Sequence, residues 1–257
     1  VLQQGHFNPI DFDDNFSEEL FKDYLEVIDP VKRYFYESDY KDFEKYKFTL
    51  DDQLKETDIT FFNVVHERML KRFTEIKEIY KEVLSEPFDY STEESFNTDY
   101  ENTGFVKNRK EMKERWRQQL KFSTLSNYDD LYSQEKQAKE KDASYVMKTE
   151  QQIEKEARES TLKSINVYFN DNLDDLERED WFAIYVNTIV EEFDPHTYYL
   201  APRSKEDFDQ RMSGKLEGIG ARLQKRMDYI KIVELISGGP AWRSKELEVE
   251  DIILKVK

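Results

Sequence analysis

The chain has no cysteine in 257 residues, which excludes disulfides, thiolate nucleophiles and cysteine-ligated metals but leaves the compartment open, since cytosolic and periplasmic enzymes can both do without thiols. Basic residues are outnumbered, 39 Lys+Arg against 56 Asp+Glu, and the net charge of -17 disfavours phosphate backbones and anionic lipid surfaces. Nucleic acid is therefore not an expected partner. No apolar run is long enough to cross a bilayer, and Val1-Leu2-Gln3-Gln4 lacks the basic start and apolar stretch of a signal peptide. With no initiator Met, the sequence reads as a soluble trimmed or mature piece. There is no P-loop, no dinucleotide fingerprint, no zinc-ligand spacing and no glycosidase-like carboxylate pair, so no cofactor and no metal is expected. Glycine is scarce, and five of the 7 fall at 214, 218, 220, 238 and 239.

What is present is a helical pattern with large rings. Charged residues make up 37% and hydrophobics 38% of the chain, with 16 Tyr and 18 Phe to fill a helical core. Ile59, Phe62, His66, Met69, Phe73, Ile76, Tyr80 and Val83 recur at three- and four-residue steps, which places them on one stripe of a helix. Asp58 is positioned to cap its start, and Pro87 to stop the chain from continuing as helix beyond it. A shorter amphipathic helix is expected from Glu18 to Val27, ending at Asp29-Pro30, with a turn at Ser38-Asp39. Residues 90–104, rich in Ser, Thr, Asn and Asp, read as a loop or crossover. Helical spacing resumes from Lys107 to Leu120 through Met112 and Trp116. The charge-dense stretch from Gln134 to Ser160, with few apolar anchors, reads as one solvated helix. Trp181, Ile184, Tyr185, Thr188 and Ile189 return to a core pattern in a helix from Arg178 to Glu192 that Asp194-Pro195 terminates.

After Met212 the character changes. Glycines cluster, and β-leaning runs appear at Ile219 to Gln224, Tyr229 to Ile236 and Ile252 to Val256. A domain boundary is expected there, with 1–213 helical and 214–257 the start of a second unit.

The strings Phe193-Asp194-Pro195-His196-Thr197-Tyr198-Tyr199-Leu200-Ala201-Pro202 and Leu216-Glu217-Gly218-Ile219-Gly220-Ala221-Arg222-Leu223, in that order, resemble the junction at which the helical region of a tail-specific (carboxy-terminal processing) serine protease meets its PDZ domain. Gly238-Gly239-Pro240-Ala241 and Leu247 to Val256 continue the resemblance, with Glu250 standing where the family's strand pattern has glycine. The fold class implied is mainly α: a multi-helix N-terminal domain followed by a partial α/β PDZ domain, its N-terminal half. The resemblance also implies a periplasmic endopeptidase acting on the apolar C-terminal tails of extracytoplasmic proteins. Its serine-lysine dyad would lie in a domain C-terminal to the PDZ, so this chain is expected to hold no catalytic residue and to be inactive by itself. Half a PDZ groove, lacking the helix of the opposite wall, is expected to bind peptide weakly.

The expected recognition site is the loop and strand formed by Gly218, Ile219, Gly220, Ala221 and Leu223. Successive backbone amides can converge on a terminal carboxylate where glycines keep side chains out of the turn; the amides of Ile219, Gly220 and Ala221 would be the donors. Ile219 and Leu223 would line the pocket for the last apolar side chain, and Ala221 to Gln224 would pair with the peptide as an added strand. The turn at Glu250 is expected to need a positive φ. Two other readings stand beside this one: a non-enzymatic helical adaptor with a PDZ-like strand, and a metal- or His-dependent hydrolase centred on His196. Against the second, Asp194 and Thr197 are expected to satisfy backbone groups at a helix end, and His66 to be a core histidine.

Overall fold

A computed structural model of the chain describes residues 5–100, 102–213, 218–226 and 229–255. Nine helices and a small antiparallel sheet make the fold mainly α among these residues, divided into two compact units, Val1–Tyr199 and Leu200–Lys257. The division falls ahead of the change in composition after Met212. The expected boundary at 213/214 abuts residues 214–217, which lie outside the described residues, as do Leu216, Glu217 and Val256 of the motifs above.

The first unit holds α1 (Asp14–Ile28), α2 (Glu37–Glu44), α3 (Leu50–Glu56), α4 (Thr60–Val83), α5 (Arg109–Lys141), α6 (Glu150–Val167), a π-helical turn (Tyr168–Leu173) and α7 (Arg178–Glu191). Asp13 starts α1 by accepting the Phe16 N–H at 2.9 Å, relieving one of the orphan donors every helix start carries. Asp58 does the same ahead of α4, accepting from Thr60 N–H at 2.9 Å. The α4 stripe is wider than its sequence periodicity alone marks out, since Phe61, Val65 and Ile79 are buried with Phe62, His66, Met69, Phe73, Ile76, Tyr80 and Val83. The core is built from rings: Phe61 has Phe21, Tyr24 and Tyr46 within 5.8 Å of its centroid. Trp116 is fully buried and ties α5 to the segment after α1 by donating Nε1–H to the Arg33 carbonyl at 2.9 Å.

Helix α2 stands where a turn was expected at Ser38-Asp39, and the short α3 follows it. Asp39 sits in the first turn of α2, fully buried, and accepts from Tyr36 N–H at 2.9 Å and from Arg72 Nε at 2.7 Å, with Arg68 beside it. Burial acts to raise its pKa, and the two guanidiniums with the Tyr36 amide outweigh it, holding the carboxylate below its ordinary range. Asp29, at the end of α1, is also buried and collects the N–H groups of Arg33, Tyr34 and Phe35 at 2.8, 3.1 and 3.0 Å. There burial wins over the three amides, and the carboxyl is pushed up to about 6.

The stretch from Gln134 to Ser160 is not one helix. α5 runs unbroken from Arg109 to Lys141, about 50 Å at 1.5 Å per residue. The chain then reverses, and α6 packs back along it. The reversal is made by polar side chains: Asp142 accepts from Ser144 N–H at 2.8 Å, and Thr149 and Gln152 form a reciprocal cap at the start of α6. Small or apolar residues, Ile153 and Ala157, are buried on α6, and Thr124 and Thr161 share a hydrogen bond at 3.0 Å.

The second unit contains α8 (Pro202–Ser213), β1 (Ala221–Arg226), β2 (Tyr229–Leu235), α9 (Pro240–Ser244) and β3 (Ile252–Ile253), with strand order β1-β2-β3, all antiparallel. α8 was not marked by the sequence pattern. Ala201 ahead of α8, Ile232 on β2 and Ala241 on α9 are its buried apolar residues among those described. Glu250 has φ +85°, the positive value expected where the family has glycine. Its N–H donates to the Ile232 carbonyl at 2.8 Å while Ile232 N–H donates to Asp251 at 2.9 Å, so the turn is fixed from both sides by β2.

Candidate functional site

All five residues expected to receive a peptide terminus fall on one loop and the strand it feeds. Gly220 has φ +72°, a conformation costly for any residue with a Cβ. A Cβ there would also lie 3.0 Å from Gly239 Cα and 3.1 Å from Pro240 Cδ. Gly239 is constrained in return, since its own Cβ would meet the Ile236 carbonyl at 3.0 Å and Gly220 Cα at 3.1 Å. Two backbones thus touch where only glycine fits, which explains why Gly220 and the Gly238-Gly239-Pro240 turn occur together in the sequence.

The same contact orients the peptide planes. The Ile219 carbonyl accepts the Ala241 N–H at 2.8 Å, satisfying an orphan donor at the start of α9, and the Gly220 carbonyl accepts the Ile236 N–H at 2.8 Å. No peptide bond of the described residues is cis. In a trans peptide the N–H points opposite to the preceding C=O. With both carbonyls turned toward residues 236–241, the amides of Gly220 and Ala221 are turned away from them. They lie at the head of β1, one of the two edge strands of the sheet, whose outer main-chain groups have no neighbouring strand among the described residues. Ala221 pairs with Leu235 and Leu223 with Ile232, with a register shift between Arg222 and Leu223. Ile219 and Leu223 are both exposed, 52% and 43%, whereas Arg222 reaches Glu234 across the sheet at 3.0 Å.

The junction string is structural in its contacts. Asp194 accepts from His196 N–H at 2.9 Å, a bond that holds its pKa below the ordinary range, and from the Thr197 hydroxyl at 3.4 Å. Asn187 on α7 clasps the main chain of Tyr199 from both sides, accepting its N–H at 2.7 Å and donating to its carbonyl at 3.1 Å. Sequence reading missed Asn187, because nothing in its spacing marks it. His6 Nε2 lies 3.8 Å from Asp194 and its ring packs edge-on to Phe193 at 5.8 Å, a proximity that no spacing in the sequence marks. His66 lies stacked on Phe62 at 5.5 Å, and burial lowers its pKa. Glu192 is pushed up to about 7 by burial and by the neighbouring Asp23 carboxylate. Among the described residues, no three His, Asp or Glu side chains gather as a metal site.

Comparison with known proteins places the chain in one family. A family model described as the tail-specific protease N-terminal domain matches residues 1–203, and the chain belongs to that family. The tail-specific protease of Haemophilus influenzae (strain ATCC 51907 / DSM 11121 / KW20 / Rd) is 29% identical over 256 residues, which are 99% of this chain and 34% of that protein. A probable CtpA-like serine protease of Staphylococcus aureus (strain COL) is 33% identical over 103 residues, 38% of this chain and 21% of its own length. The chain therefore spans 34% of the first of these relatives and 21% of the second.

Proposed function

We propose that this chain is the scaffold and recognition region of a periplasmic serine endopeptidase that degrades or trims proteins from apolar C-termini, with a Ser-Lys dyad supplied by sequence beyond it and no peptidase activity of its own. Residues 214–257 are on this reading the first half of a PDZ domain. The observation that carries it is the loop at Gly220: a positive φ, a glycine-glycine backbone contact, and two inward carbonyls that leave the Gly220 and Ala221 amides facing outward at the head of an edge strand. Such paired amides suit an anion. The carboxylate that ends a polypeptide is the one anion that also brings main-chain donors and acceptors to continue along β1 as an added strand, with its last side chain against Ile219 and Leu223.

Gly220→Ala is the test. The added methyl has no room beside Gly239 and is strained at φ +72°, so the loop must shift and the amides with it. A peptide ending in Ala-Ala should bind the full-length protein, lose at least about tenfold in affinity when its terminus is amidated, and lose a comparable factor on Gly220→Ala. Equal binding of acid and amide would remove the carboxylate from the account, and peptide binding without any serine-inhibitor-sensitive cleavage would favour an adaptor.

A further inference from the structure

Apart from the peptide loop, the helical unit contains an apolar cavity of about 310 Å³ with a cation at its wall. Val27 of α1 stands half exposed on it, and Leu176 and Trp181 line it with the Arg33, Tyr34 and Tyr168 side chains. The Arg33 guanidinium carbon lies 5.2 Å from the Tyr34 ring and 5.3 Å from each of the Trp116 and Tyr168 rings. Its Nε donates to the Tyr34 hydroxyl at 3.2 Å and one Nη to the Tyr168 hydroxyl at 3.1 Å. An arginine has five N–H donors and seeks carboxylates bidentately, yet no ion pair of Arg33 occurs among the described residues. Asp29, the acidic group whose charge reaches it, holds three main-chain amides instead.

Two further features single out this wall. The Trp181 indole N–H is buried without a hydrogen-bond partner, although the residue is only 5% exposed; such orphans are rare and expensive. Tyr168 is carried by the π-helical turn Tyr168–Leu173, a distortion that recurs at binding sites because it departs from the regular helical ladder. A cation held by rings and hydroxyls rather than by an acid, beside apolar walls, defines complementary chemistry: one carboxylate on a short apolar body.

We propose that this cavity binds a small apolar monocarboxylate, with the carboxylate on Arg33 and the apolar body along Leu176 and Trp181. The test is calorimetric titration of the full chain with octanoate, octan-1-ol and octylamine, and with acetyl-leucine to separate a fatty-acid source from a peptide terminus. Octanoate or acetyl-leucine should bind saturably, and the better of the two about tenfold or more tighter than octan-1-ol, as a charge-assisted hydrogen bond requires; octylamine should not bind. Arg33→Met should remove that preference. Val27→Trp, at the exposed rim and away from the cation, should block binding without disturbing the core. Failure of both carboxylates to bind, equal affinity for octanoate and octan-1-ol, or binding unchanged in Val27→Trp would overturn the proposal.

Discussion

The two compact units differ in charge as much as in secondary structure. Residues 1–199 carry 27 Lys+Arg and 46 Asp+Glu, a net -19, while residues 200–257 carry 12 and 10, a net +2. Five of the 7 glycines lie in the second unit, as do the exposed Ile219, Leu223, Ile230, Trp242, Ile252 and Leu254. The helical unit buries most of its rings, with Phe7, Phe48, Phe122 and Tyr198 among the exposed ones, and shows carboxylates; the second unit hides little and leaves a strand edge without a neighbouring strand among the described residues. Self-repulsion in the acidic unit is offset by a ring-filled core, which suits a scaffold. An open edge with apolar side chains beside it is a hazard unless something pairs with it, which suits recognition.

The contrast is broken most severely by emptying the helical core. Phe61→Ala removes a fully buried ring from contact with Phe21, Tyr24 and Tyr46 and should cost about 3–5 kcal/mol in urea unfolding followed by circular dichroism. Hydrogen exchange of the β1 and β2 amides should be unchanged if the second unit stands by itself; equal loss of protection there would show that the units fold as one.

A pH titration of stability sharpens the same contrast. The Asp29 carboxyl is raised by burial to about 6 from an ordinary 3.8, so between about pH 4 and 6 the folded state binds more protons than the unfolded one. Stability from this group is present at low pH and is lost as pH rises through about 6, by on the order of 2–3 kcal/mol. Asp39, depressed by its arginines, acts in the opposite sense: its contribution is present above its ordinary pKa and is lost as pH falls through its folded value. Asp29→Asn should flatten the fall between pH 4 and 6 relative to the parent; an identical profile would mean that Asp29 is ionised throughout.

In the second unit the expected effect is smaller and of opposite sign. Glu250 is strained at φ +85° and its side chain, 71% exposed, pairs with Lys231. Relief of the strain is of order 1 kcal/mol, whereas an exposed ion pair contributes about 0–1. Glu250→Gly should therefore leave the β-unit up to about 1 kcal/mol more stable in Trp242-monitored unfolding. A loss of that size would show that the Lys231 pair outweighs the backbone.

Much of this was legible in the sequence where a physical signal was strong. The α4 stripe follows from 3.6-residue spacing, and β2 and β3 from their β-branched residues, whereas β1 has none and was marked by the glycines before it. Gly218, Ile219, Gly220, Ala221 and Leu223 fall within six consecutive positions, so their juxtaposition needed no tertiary information. The break between α5 and α6 was missed because no glycine or proline marks it, although the charge thins to Asp142 and Lys148 across residues 142–149. The signals were smaller, Asp142 with Ser144 and the Thr149–Gln152 capping pair. α2 and α3 were missed because their short helices are fixed by distant partners, as Asp39 is by Arg68 and Arg72. The Arg33 cavity draws on segments near 27–34, 73 and 168–184, and no spacing rule joins them.

The central claim, that the Gly220 loop receives a peptide's terminal carboxylate, is tested most directly by following backbone amide resonances of this protein while adding a peptide ending in Ala-Ala, a method that detects even the weak binding expected of half a groove. The account predicts that the Gly220 and Ala221 amides shift with the free-acid peptide and stay in place with its amidated twin, followed by smaller changes along β1. Shifts of equal size with both peptides, or shifts elsewhere with these two amides unmoved, would contradict it.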